Sequence, residues 1–333
     1  MKSFWLVAFG CFVQLSLLAQ PLQYGETRYF SFKNNFWINL HHFLYQEASG
    51  SQLRHLQEDG MTFLDIGEAP IRKGLSQEDQ EILQQAISYY TKKLVAKDLR
   101  TDLGQMRTWF RKQPENGQIT DTRFTREFTA ILNRVAPIYR SNFWQLHESH
   151  NWEIMDQHIE RIYQIEEAMI RKMEEMSANV WPAETKVRVD LTTYGSWSSA
   201  YSSSRPIMNL VISTIDPGHE TSEFIETTFH EGTHLLYLFD QSPVRDEIYN
   251  QAEAREMDFP RGLWHAWLFY LCGKATQEEL AAFDESHQLT IDTKNVFSNY
   301  NTPALRTILD RYYEGKLDMK EAVKTLLDDL ASK

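Results

Sequence analysis

Glu223-Phe224-Ile225-Glu226-Thr227-Thr228-Phe229-His230-Glu231-Gly232-Thr233-His234-Leu235-Leu236 is the stretch on which the reading of this chain turns. Phe224, Ile225, Thr228, Phe229, Leu235, Leu236 and Leu238 recur at three- and four-residue spacing, which predicts a helix, and Thr221 or Ser222 stands where a cap belongs. His230 and His234 are four apart, so both imidazoles rise from one helical face and can meet at a single ion. Glu231 is turned by about 100° from His230, so it flanks that ion without ligating it. A carboxylate placed there can take a proton from an activated water and return it to a leaving amine. Zinc suits two neutral imidazoles and one further ligand, with a fourth position left open. The competing reading is a helix whose histidines are solvated or bonded to backbone.

Upstream of this helix, Lys186-Val187-Arg188-Val189-Asp190-Leu191-Thr192 alternates polar and apolar residues, as a half-buried strand does. Tyr194 to Ser204 is rich in serine and reads as a loop or irregular hairpin. Ile207 to Ile215 alternates again, with Met208, Leu210 and Ile212 on one face, and Asp216-Pro217-Gly218 ends it. From Phe36 to about Met176 the pattern is helical. Ser76-Gln77-Glu78-Asp79 resembles a capping box, and Ile154, Met155, Ile159, Ile162, Tyr163, Ile165, Met169, Ile170, Met173 and Met176 form a long stripe that reads as packing surface. Downstream come helices from Pro260 to about Lys274, from Pro303 to about Glu314, and from the box Asp318-x-x-Glu321. The expected fold class is α+β, mostly helical, with a small mixed sheet before the metal-binding helix.

The chain has 333 residues, 42% apolar and 24% charged, enough for a large core, and no internal repeat. Its net charge of −12, from 34 Lys plus Arg against 46 Asp plus Glu, is a poor match for a phosphate backbone, so no nucleic-acid partner is expected. Lys2, the uncharged stretch Phe4 to Ala19 and the small residue Ala19 form the pattern of a secretory signal, with cleavage expected before Gln20. The stretch falls short of the roughly 20 residues that a spanning helix needs, and nothing later is long and apolar enough, so no integral membrane span is expected. Cys11 lies inside this segment and leaves Cys272 as a lone thiol, so no internal disulfide is available. The expected organisation is a signal peptide over 1–19, a helical portion over 20–180 that walls one side of a cleft, and a metal-binding portion over 181–333.

His230-Glu231-Gly232-Thr233-His234 resembles the signature of the zincin superfamily of zinc metallopeptidases. The resemblance implies that His230 and His234 bind Zn2+, that Glu231 is the general base and acid, and that an edge strand, here Ile207 to Ile215, lays out a peptide substrate. Trp144-x-x-His147-Glu148-x-x-Asn151, Tyr194-x-x-Trp197-x-x-Ala200-Tyr201 and Leu263-Trp264-His265-Ala266-x-x-Phe269-Tyr270 are similar to a group of exported bacterial members of that superfamily. This looser likeness spans about residues 30 to 275 and implies no particular substrate.

Two residues compete as third ligand. Glu253 lies 18 residues after His234, a spacing that matches the glutamate-ligand zincins, but without the aromatic and glycine residues those families show beside their glutamate. His265 lies 31 residues after His234 on an apolar helix, where a buried unpaired imidazole costs free energy unless something binds it. The short-spaced third histidine of metzincins should fall near Phe239-Asp240 and does not. His265 is the preferred ligand. Tyr194 and Tyr201 are candidates for donating to an oxyanion, against the ordinary reading as loop tyrosines. His41, His42, His147 and His150 read as surface or satisfied core positions. The functional expectation is an exported zinc-dependent hydrolase acting on a peptide or protein substrate. The alternatives are a zinc hydrolase for non-peptide bonds and a secreted helical binding module without metal.

Overall fold

A computed structural model describes residues 24–50, 63–97, 99, 102–195, 199–203, 208–238 and 241–332. The proposed signal segment 1–19, Trp197, Ile207 and the Phe239-Asp240 pair lie outside the described residues. In chain order the elements are β1 (Phe30–Lys33), α1 (Phe36–Ser49), α2 (Glu68–Gly74), α3 (Gln77–Lys93), α4 (Gly104–Phe110) and α5 (Arg126–Tyr139). A π turn over Arg140–Trp144 joins α5 to α6 (Gln145–Ser177). Then come β2 (Val187–Thr192), β3 (Ala200–Ser203), β4 (Asn209–Ser213), α7 (Glu223–Thr233), α8 (Pro243–Ala254), α9 (Leu263–Ala281), α10 (Thr290–Thr293), α11 (Pro303–Tyr313) and α12 (Met319–Ala331). The fold is α+β: 61% helical around one small mixed sheet, so helices decide most of the packing.

The sheet order is β1-β2-β4-β3, with β1, β2 and β4 parallel and β3 antiparallel to β4. This corrects the expected edge strand. β4 is an interior strand and β3 forms the edge. The reason lies in composition: Asn209-Leu210-Val211-Ile212-Ser213 is buried on both faces, the habit of a central strand, whereas Ala200-Tyr201-Ser202-Ser203 is short and polar. Leu210 and Ile212 do share one face, as their alternation predicts, but Val211 between them enters a second core.

Two apolar clusters therefore lie on opposite faces of the sheet. One joins Phe30, Phe32, Val187, Val189, Leu191, Leu210 and Ile212 to α6, α7, α9 and the C-terminal helices. The other holds α1, α3, α4 and α5 against Tyr201 and Val211. Each fully buried aliphatic or aromatic side chain contributes about 1.5–3 kcal/mol relative to exposure, and this anchoring fixes α7 on the sheet. Gly232 lets α7 come close: a Cβ there would lie 2.8 Å from the Phe30 ring. A connected polar network pins the carboxyl ends of the strands. The Asn39 amide donates to the Leu191 carbonyl and the Asn151 amide to Asn39 Oδ1, while the Thr193 and Thr214 hydroxyls donate to Asn151 Oδ1.

Local signals explain the helix boundaries. Ser76 accepts from the Asp79 N–H at the start of α3, and Asp318 and Glu321 form a reciprocal capping box on α12. Ahead of α7 it is the Thr221 hydroxyl that accepts a backbone N–H, from Glu223, while Ser222 bonds instead to His287. Pro137 cannot donate its place in the helical ladder, and the π turn follows within one turn of it. Among the described residues no helix is long and apolar enough to cross a membrane.

Candidate metal centre

Helix α7 runs to Thr233 and its last turn tightens over His234–Tyr237, yet His234 keeps helical dihedrals (φ −52°, ψ −23°). The four-residue spacing therefore brings His230 and His234 to one face, with ring centroids 5.0 Å apart. His265 stands in the first turn of α9 and comes in from the side. Its ring centroid is 5.1 Å from that of His230 and 4.8 Å from that of His234, and the two Nε2 atoms of His230 and His265 are 3.1 Å apart. One ligand nitrogen from each of the three lies within 4.8 Å of the others. Nitrogens held about 2.05 Å from one tetrahedral ion stand about 3.3 Å apart, so the 3.1 Å between His230 and His265 is compatible with a shared ion.

The donor set fits a divalent cation on a second count. Burial first, and then the neighbouring His234 and His265, hold the His230 imidazole neutral, well below its ordinary pKa. Neutral imidazole is the ligating form. Nε2 lone pairs this close repel unless a proton or a cation lies between them. One feature of a finished metal ligand is lacking: His230 Nδ1 is buried with no hydrogen-bond partner among the described residues, where ligating histidines normally have one.

The other predicted residues fall as follows. Glu231 borders the same cleft, its Oε2 3.8 Å from His234 Nε2. Glu253 is exposed on α8 and is not among the converging donors. His265 is half-buried rather than enclosed, because α9 turns Leu263, Ala266 and Trp267 into the core and leaves Trp264, His265 and Phe269 facing the cleft. Neither tyrosine has its hydroxyl on the centre. Tyr194 donates to Glu68 at 2.6 Å, and the Tyr201 hydroxyl pairs with His42 Nε2 at 2.8 Å. His41 meets Tyr90 through Nδ1, His147 lies between Tyr139 and Glu68, and His150 bonds the Thr214 carbonyl, so each has an internal partner away from the centre. Burial raises the Cys272 thiol well above its ordinary pKa, which keeps it inert.

A cleft of about 450 Å³ opens over the three histidines. Its walls are the edge strand β3, the face of α7 that carries Thr227, His230 and Glu231, the start of α9, and the segment from Thr290 to Phe297. No described residue before Ser199 lines it, so the helical portion over 20–180 does not form a wall as expected. The physical reason is packing: α1, α3, α4 and α5 pack on the far face of the sheet, and α6 packs against α7 in the near-face core.

Sequence reasoning missed a second convergence in the same neighbourhood. Asp216, His219 and Glu223 are all buried and their ligand atoms lie within 4.8 Å of one another. Lys294 enters this group, 2.5 Å from Asp216 Oδ2 and in contact with Glu223. The Asp216 carboxyl is held far below its ordinary pKa against the opposing effect of burial, by His219 and Lys294. Beside it Glu226 accepts from His287 Nε2 at 2.6 Å and from the Thr290 N–H at 2.9 Å. The signal for these residues was weak: Asp216-Pro217-Gly218 reads as a turn, and Lys294 is distant in sequence. Compared with protein-family models, with curated proteins and with solved structures, the chain finds no match, so the reading of this centre rests on its own geometry.

Proposed function

We propose that this chain is an exported zinc-dependent hydrolase of the zincin type, a peptidase. The observation that carries the proposal is the convergence of His230, His234 and His265 beside Glu231 in an open cleft. His230, His234 and His265 would hold Zn2+, which supplies a Lewis acid for a carbonyl and makes water acidic enough to lose a proton near neutral pH. The Glu231 carboxylate accepts that proton and delivers it to the leaving amine. β3 is the edge of the sheet and its residues Ala200 to Ser202 line the cleft, and a sheet edge is the kind of template along which an extended peptide can pair. Export rests on the signal-like pattern of the segment 1–19.

The test is Glu231→Gln in the full chain. Zinc measured by mass spectrometry should remain at one per chain, while hydrolysis of a peptide mixture falls by about 10²–10⁴, the range for removal of a general base. Retained turnover overturns the role of Glu231. Wild-type protein that takes up no zinc overturns the metal centre itself.

A further inference from the structure

We propose that the segment Lys294–Phe297 is the selectivity wall of the cleft: it seats a large apolar side chain of a peptide against Phe297, and Lys294 is the residue that positions it. The proposal rests on the peptidase reading and names its substrate class.

The backbone is the first observation. Asn295 and Phe297 both have left-handed dihedrals, φ 47° and φ 55°. Asparagine tolerates that region; a bulky residue such as phenylalanine does so rarely. Such a conformation persists only where the surroundings over-determine it, and such positions cluster at ligand sites. Here the surroundings are explicit. Lys294 is tied to Asp216 and Glu223 at the start of α7, and the Phe297 carbonyl accepts N–H groups from Tyr300 and Asn301 at 2.7 and 2.8 Å. Thr290, four residues before Lys294, is held to Glu226 on α7. Lys294 and Thr290 thus tie the segment to α7 at two points, Glu223 and Glu226, and the Phe297 carbonyl is held within its own loop.

The second observation is what the clamp presents. Phe297 is half-exposed and its ring centroid lies 4.6 Å from that of His265 and 6.0 Å from that of Phe269. Phe269 in turn packs on His230, with centroids 4.0 Å apart. Val296 adds to this wall. The left-handed backbone holds the Phe297 ring with one side packed on the core beside Phe269 and the other turned to the cleft next to His265. An apolar side chain entering the cleft would cover Phe297 and gain the contact area it leaves open. A charged side chain would lose its hydration there without a partner.

The experiment uses zinc-loaded full-length protein and a set of hexapeptides that vary at one residue among Phe, Leu, Ala, Asp and Lys. Wild type should cleave beside Phe or Leu with kcat/KM at least about 10-fold above Asp or Lys. Phe297→Gly should bring that ratio close to one, with zinc content unchanged and without loss of the thermal midpoint, because glycine accepts the left-handed backbone. Phe297→Leu should restore most of the preference. Lys294→Met should raise KM for the apolar peptides and leave kcat near wild type. Calorimetric binding of the same peptides to zinc-loaded Glu231→Gln reads the preference without turnover. Cleavage with no side-chain preference, or a preference that survives Phe297→Gly, overturns the wall and leaves the peptidase reading standing. Apolar peptides that bind through Phe297 but are never cleaved sustain the wall and overturn the peptidase reading. Neither binding nor cleavage overturns both.

Discussion

Two clusters beside α7, one wholly buried and one open to the cleft, meet the same geometric criterion and differ in charge. His230, His234 and His265 bring three imidazole rings together, and burial holds that of His230 neutral. Asp216, His219 and Glu223 bring two carboxylates and a ring together, and the Lys294 ammonium already stands between the carboxylates. Convergence of ligand atoms is therefore not by itself a reason to assign a metal. Charge separates the two: the second cluster has its cation built into the chain, whereas the first brings imidazole nitrogens together, with His230 and His265 Nε2 3.1 Å apart. On the proposed reading the first could hold an ion and the second fixes Lys294 at the side of the cleft.

The strongest way to break this comparison is Lys294→Met. Removing one partner of a buried ion pair leaves the other charges uncompensated, which costs about 3–5 kcal/mol, and denaturant unfolding should show it. A variant as stable as wild type would mean that Asp216 and Glu223 take up a metal or protons instead, and the distinction between the clusters would fail. Next in size is chelation. Zinc bound only by the native state stabilises by about 2.7 kcal/mol at 100 times its Kd, so a chelator should lower the thermal midpoint of wild type and of Asp216→Asn alike. His265→Ala should be insensitive to the chelator; if Asp216→Asn were the insensitive one, the roles of the clusters would be exchanged.

Mild acid gives the smallest effect and sharpens the contrast. Burial lowers the pKa of His219, with Asp216 opposing it, so the native state binds fewer protons there than the unfolded chain. For such a group the unfolded state takes up the proton first, and stability rises with pH and is lost as pH falls below the ordinary imidazole value of about 6.5. Between pH 6.5 and 5.5 one group accounts for at most about 1.4 kcal/mol. His219→Gln should lose less stability over that interval than wild type in chelator-treated protein, measured by denaturant titration. His42, which burial lowers to about 4, should add a similar loss from the far side of the sheet in both proteins.

Much of the helical framework was legible because its cause is local. The stripe from Ile154 to Met176 is core along α6, and Asp318 with Glu321 caps α12 as their spacing predicts. β1 was not legible: Phe30-Ser31-Phe32-Lys33 is too short to declare itself, and it becomes a strand only by pairing with Val187 to Asp190, more than 150 residues away. The same holds for the order of β3 and β4. A hairpin can be read from serine-rich turns, but which of its strands faces the interior depends on what else lies on the sheet.

Taken alone, the order of residues determined the α+β class and the placing of His230, Glu231 and His234 on one helix, since a period of 3.6 residues is written in the chain itself. It offered His265 and Glu253 as third ligands. Only the tertiary structure decided that α9 turns His265 into the cleft while α8 leaves Glu253 in solvent, that β3 is the edge, and that Lys294 occupies the second cluster. Those outcomes depend on which distant faces are buried against one another. Burial is a property of the packed whole, and no local pattern specifies it.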